Sequence, residues 1–124
     1  MTAENERIVQ EFLRMVIARD IDVAYEKYVN MSGKHHNVYF PAGFAALREA
    51  MKQNHAQFPD TKLTFKHLIA EGDLVVTHSR VQHKPGDIGV AVVHLFRMAN
   101  GKIVEMWDCG MEIPRDCPNG DGAF

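Results

Sequence analysis

Apolar positions near the start of the chain recur at three- and four-residue spacing. Between Ala3 and Arg19, residues Ile8, Phe12, Met15 and Arg19 mark one face, and Val9, Leu13, Val16 and Ile17 widen it. Such a broad stripe predicts a deeply packed amphipathic helix. Asp22 is placed to cap a short second helix from Val23 to Tyr28. Residues 30–41 show no period and predict a polar, irregular connection. A third helix is expected from Phe44 to Gln57, with Phe44, Leu47, Met51 and His55 or Phe58 on its apolar side, ended by Pro59 and Asp60.

The pattern then changes to a period of two. Lys62-Leu63-Thr64-Phe65-Lys66 alternates polar and apolar, as a half-buried antiparallel strand does. Turns at 71–73, 85–87 and 99–101 separate further strands at Leu74–His83, Val90–Met98 and Lys102–Met111. Helices followed by hairpin-linked strands predict an α+β fold in which helices cover one face of a curved sheet. No repeat, linker or low-complexity block interrupts the 124 residues, so one domain over 1–124 is expected.

Composition narrows the function classes. Hydrophobic residues make up 46% and charged residues 24%, with a net charge of -2, and no basic stripe of the kind that neutralises phosphates is present. A nucleic-acid partner is therefore not expected. The N-terminus is charged and periodic rather than signal-like, and no apolar run approaches the roughly eighteen residues of a membrane span. Location in the cytoplasm and no membrane partner are expected. Two cysteines, Cys109 and Cys117, are too few for a disulfide framework and are not spaced as a redox or zinc pair.

Candidate chemistry gathers in the last hairpin, which holds His94, Trp107 and Asp108. A two-residue Asn-Gly turn would pair Ala99 with Lys102 and put His94 and Asp108 on opposite faces. A three-residue turn with Gly101 left-handed would pair Met98 with Lys102 instead. Val92, His94, Phe96, Val104, Met106 and Asp108 would then point one way, with His94 and Asp108 as diagonal neighbours, and Ile103, Glu105 and Trp107 on the other face. The second register is favoured because it collects an apolar wall around two titratable groups. Desolvation in such a wall penalises a carboxylate's charged form, which is how an aspartate becomes a useful acid or base near neutrality.

His78, on a side of its strand shared with Val76 and Arg80, is read as a second inward histidine, and His36-Asn37 as loop ligands. His35, His55, His67 and His83 are read as surface or core-edge groups. No HExxH, strand HxH or CxxC pair exists, so no resident metal or cofactor is expected. A site assembled from His36, His78, His94 and Asp108, suited to zinc or nickel, is the metal-binding alternative. Ser79 lacks elbow glycines, Cys109 lacks a basic neighbour, and no glycine-rich phosphate loop is present.

Several strings then fall into a family pattern. They are Tyr28-Val29, His36-Asn37, Glu71-Gly72-Asp73-Leu74-Val75-Val76-Thr77-His78, Val93-His94-Leu95-Phe96-Arg97 and Asn100-Gly101-Lys102-Ile103-Val104-Glu105 with Trp107-Asp108. Across nearly its whole length the chain resembles the SnoaL-like polyketide cyclases and ester cyclases of the NTF2-like superfamily. The resemblance implies a cone-shaped α+β barrel with N-terminal helices packed on a curved antiparallel (mixed) sheet, a deep apolar pocket for a small molecule, and a homodimer. It also implies cofactor-free acid/base chemistry of the aldol-cyclase type, or a related isomerase or hydratase. Asp108 matches the general acid/base, with His78 and His94 as the expected catalytic partners. His36, Asn37, Phe96, Met106 and Trp107 are the expected substrate-binding residues. Met106 stands where relatives commonly carry histidine, Val38 where proline is usual, and His94 where many carry aspartate. A non-catalytic small-ligand-binding protein is the other reading, because a fold alone does not fix function.

Overall fold

The computed structural model describes residues 2–124. In chain order it contains α1 (Thr2–Ile17), α2 (Ile21–Tyr28), β1 (Val29–His35), α3 (Phe44–Gln57), β2 (Lys62–Glu71), β3 (Leu74–Gln82), β4 (Val90–Ala99) and β5 (Lys102–Glu112). The strands form one sheet in the order β1-β5-β4-β3-β2. Strand β1 runs parallel to β5 and every other pairing is antiparallel, so the sheet is mixed. Three helices on a five-stranded sheet give the expected α+β class.

The core lies between helices and sheet. Helix α1 buries Ile8, Val9, Phe12, Leu13 and Val16, the stripe its periodicity marks. Phe12 meets the edges of Tyr25 on α2 and Phe96 on β4, with ring centroids 5.4 and 6.2 Å apart. Edge-to-face contacts of this kind add to the area-dependent gain of burying such rings. Helices α2 and α3 are tied at the surface by Asp22, which accepts from Arg48 Nε at 2.7 Å and lies 3.1 Å from Lys52 Nζ. Asp22 is thus inside α2 rather than capping it; the N-cap position belongs to Asp20.

Two features differ from expectation and position the site. Residues 29–35 pair with β5 as a strand, although Val-Asn-Met-Ser-Gly-Lys-His shows no alternation and buries only its ends, Val29 and His35. The last hairpin closes on the two-residue turn, with Ala99 paired to Lys102 and both Asn100 (φ 52°) and Gly101 (φ 75°) left-handed. Continued regularly, that register would turn Glu105 toward the core. Instead Met98 pairs with Ile103 and Arg97 with Glu105, so Val104 is an extra, unpaired residue. This bulge rephases the strand. Met106 enters the core at 1% exposure and Glu105 joins the outer face, avoiding the cost of burying a carboxylate. Ile103, expected on the outer face, is fully buried instead.

The bulge also explains Gly33. A Cβ there would sit 2.2 Å from the Val104 carbonyl oxygen and 2.9 Å from the Phe44 ring, so only glycine lets β1 cross the bulged strand. No helix among the described residues is long and apolar enough to cross a membrane.

Candidate active site

Strand alternation decides which predicted residues meet. His94 pairs directly with Asp108 on one side and with Thr77 on the other, so all three face the helices. His94 and Asp108 are direct partners rather than the diagonal neighbours expected, because the bulge replaces the longer turn. His94 Nε2 lies 3.5 Å from Asp108 Oδ1, and Asn37 Nδ2 donates to Asp108 Oδ2 at 2.9 Å. The first separation is long for a hydrogen bond, so Oδ1 keeps accepting capacity toward the cavity.

Asn37 reaches Asp108 because its loop is braced by His35. His35 Nδ1 accepts the Asn37 backbone N–H at 3.1 Å, and His35 Nε2 donates to the Pro41 carbonyl at 2.8 Å. Together these bonds demand the neutral Nε2–H tautomer. The Asn37 side-chain oxygen accepts the Tyr39 N–H at 3.1 Å, which orients its NH2 group toward the carboxylate.

His94 is 8% exposed, and its Nδ1 has no partner. Burial holds its pKa below the ordinary value of 6.5, while the Asp108 charge pulls the other way. The ring is therefore neutral near pH 7, and the tautomer carrying a proton on Nε2 suits the facing carboxylate. Nearby, the Tyr25 hydroxyl donates to Met51 Sδ at 3.1 Å. Burial raises its pKa well above the ordinary tyrosine range, and the Asp108 charge adds to that push against a lowering by Arg48.

Asp108, His94 and Asn37 open into a cavity of about 300 Å3 between α1, α3 and the inner sheet face. Its walls include Leu13, Val16, Leu47, Met51, Leu63, Val81 and Val92. The volume stands at the low end of ligand pockets, which span roughly 300–1,000 Å3. A larger depression, about 570 Å3, lies at the turn end of the sheet among Glu4, Asn5, Asp73 and Asn100 and contains none of the predicted residues.

The other predicted residues stand elsewhere. His78 is adjacent to the inward Thr77, so its side chain is on the outer face, with its ring 5.2 Å from that of His67 and 5.6 Å from that of Phe124. It is not next to Asp108. His36 is also outside: Nε2 is 2.6 Å from Glu105 Oε2, and its ring stacks on Trp107 at 5.1 Å. Trp107 shares that outer face. Phe96 and Met106 point inward but are fully packed in the core and do not line the cavity. The set His36, His78, His94 and Asp108 is thus divided between two faces. No group of three or more potential metal-ligating side chains occurs among the described residues.

Sequence reasoning passed over His55 and His83, which both line the cavity. His55 falls on the apolar stripe of α3, where a histidine reads as core edge; its place in the cavity depends on how α3 docks.

The SnoaL-like domain profile matches residues 9–106. The chain belongs to the SnoaL-like family. Asp108 falls two positions beyond the matched segment. AclR from Streptomyces galilaeus is similar in structure, with a TM-score of 0.76 and 20% identity over 94% of this chain and 92% of that one. A protein from Jannaschia sp. CCS1 proposed to be a SnoaL-like polyketide cyclase superposes with a TM-score of 0.73 and 20% identity, covering 89% and 87%. An LEH-like epoxide hydrolase from M. tuberculosis gives 0.68 and 19%, covering 86% and 82%. At these identities the likeness is one of fold. No curated protein sequence matches this SnoaL-like chain.

Proposed function

We propose that this SnoaL-like protein is a small-molecule enzyme doing cofactor-free acid/base chemistry of the cyclase or isomerase type, with Asp108 as the base. One observation carries the reading: a carboxylate held at 2.9 Å by the Asn37 amide, with a buried neutral imidazole opposite, at one end of a cavity whose middle is walled by apolar side chains. In this mechanism Asp108 takes a proton from the carbon α to a substrate carbonyl. The enolate oxygen that forms accepts a hydrogen bond from an N–H of the site, from the Asn37 amide or His94 Nε2. Asp108 then returns its proton, to the new alkoxide in an aldol closure or to a different carbon in an isomerisation. Donors fixed beforehand in a dry cavity stabilise developing charge without reorganising. The Jannaschia protein and the epoxide hydrolase add a weaker support, since their descriptions are of enzymes acting on small molecules.

The proton-abstraction step is measurable without the natural substrate. Deuterium wash-in from D2O at the α-carbon of small enolisable ketones, followed by NMR, reads it directly. The wild-type protein is expected to accelerate exchange for at least one member of such a panel, and Asp108→Asn to lose about a hundredfold of that rate, the scale of general acid–base catalysis. Equal exchange rates in both proteins across the panel would leave Asp108 without a catalytic role and return the site to plain ligand binding.

A further inference from the structure

The cavity has a second polar end. His55, in the last turn of α3, is 7% exposed and its Nδ1 has no hydrogen-bond partner. His83, just past β3, has a buried Nδ1 that is likewise unpaired, and its ring lies 4.5 Å from that of Phe58. Both line the same cavity as Asp108. His83 is far from it along the sheet: Thr77 is the partner of His94, and His83 comes six positions later in the chain. At the rise of a strand that separation is on the order of 20 Å of backbone. Buried imidazole nitrogens without partners cost free energy unless something occupies them.

We infer that the His55–His83 end is a subsite for a carboxylate, so that the enzyme's ligands carry an acid group at one end and the reacting carbonyl at the other, joined by an apolar body. The charges around His55 favour an anion. Arg19 and His83 both act on it as cations would, and Arg19 and Lys52 share a neighbouring depression with it.

Burial lowers the His55 pKa most, and the charges of His83 and Arg19 lower it further, so the ring is neutral while the subsite is empty. No carboxylate contributes to that shift. On the hairpin side, the Asp87 carboxylate accepts the His83 backbone N–H at 3.2 Å. An entering carboxylate would reverse the balance at His55, whose place at a helix C-terminus also favours an imidazolium. Binding would then draw a proton from solvent.

This inference rests on the cavity being the ligand site, but its test needs no turnover. The probes are 5-phenylpentanoate and its uncharged amide, titrated calorimetrically into the full chain in buffers of different ionisation enthalpy. The acid is expected to bind at least about tenfold more tightly than the amide, as a hydrogen bond to a charged group allows. Proton uptake should accompany it, and the preference should weaken between about pH 6 and 8. His55→Gln and, separately, His83→Gln should each bring the acid-to-amide affinity ratio close to one; two variants guard against one that fails to fold. Equal binding of acid and amide, as expected if water alone satisfies both imidazoles, would overturn the subsite, and so would an acid preference that survives both substitutions. Asp108→Asn should keep the preference, so failure of the catalytic reading would appear in exchange rates and failure of the subsite in affinities.

Discussion

Asn37 and Asp108 are 71 positions apart, yet one hydrogen bond between them orients the carboxylate on which the proposed chemistry depends. Asn37 in turn depends on His35, whose two ring nitrogens brace the loop from Asn37 to Pro41. Neighbouring residues in the chain are separated by strand parity: Trp107 and Asp108 are consecutive, but only Asp108 faces the cavity. The same parity sends His78 outward beside the inward Thr77. Gly33 is the residue on which this arrangement is least tolerant. Gly33→Ala would drive a Cβ against the Val104 carbonyl, a backbone atom that cannot rotate away. We expect a loss of about 1–3 kcal/mol in unfolding free energy, the usual cost of overpacking, measured by urea denaturation. A neutral result would mean that β1 crosses the bulge with more room than the structure gives it.

Among the elements, the β4–β5 hairpin carries the site and β1 frames it. The alternation of β4 and β5 was legible in the amino-acid pattern, and so was a shared face for His94 and Asp108. The route to that shared face was not. A left-handed Asn100-Gly101 pair closes the turn in two residues, and the phase error is removed at Val104. Local preference for the tight turn and burial of Met98, Phe96, Ile103 and Met106 can both be met only with one extra residue in the strand. Gly101→Ala isolates the turn's contribution, because a Cβ there has only Ile8 Cδ1 at 4.0 Å and the strain is all in φ. A loss of about 1 kcal/mol is expected from the left-handed conformation, with α-proton exchange retained. A hairpin that lost Asp108-dependent exchange in this variant would show that the turn, and not the bulge, sets the register. Strand β1 had no legible signal: its middle is exposed and irregular, and its pairing with β5 exists only once the sheet is assembled.

For the whole molecule, the helices and sheet together enclose two imidazoles, His55 and His94, whose pKa values burial holds below 6.5. Below that value the unfolded chain takes up protons that the folded chain refuses. Stability should therefore be full above about pH 7 and decline as pH falls, by at most about 1.4 kcal/mol per pH unit for each imidazole, until the folded-state values are reached. The carboxylates of Glu11 and Asp22, also held below their ordinary values of 4.5 and 3.8, contribute only in a lower window. Denaturant titrations at about pH 7.5 and 5.5 should show the decline, and His94→Gln should reduce it. Stability that stays level or rises on acidification would contradict neutral burial of these rings.

Periodicity and turn residues by themselves determined the three helices, four of the five strands and the α+β class, because those signals are local and repeat every few residues. The hairpin pattern pointed to His94 and Asp108 and the loop to Asn37, and the family strings added the acid/base role expected of Asp108. Tertiary structure alone decided the rest: that His36, His78 and Trp107 lie outside, that Phe96 and Met106 are packing rather than lining, and that His55 and His83 close the far end of the cavity. The physical reason is that a side chain's partner is chosen by strand phase and by how a helix docks. A single bulged residue, or a few degrees of helix rotation, changes either one without leaving a mark on the hydrophobic pattern.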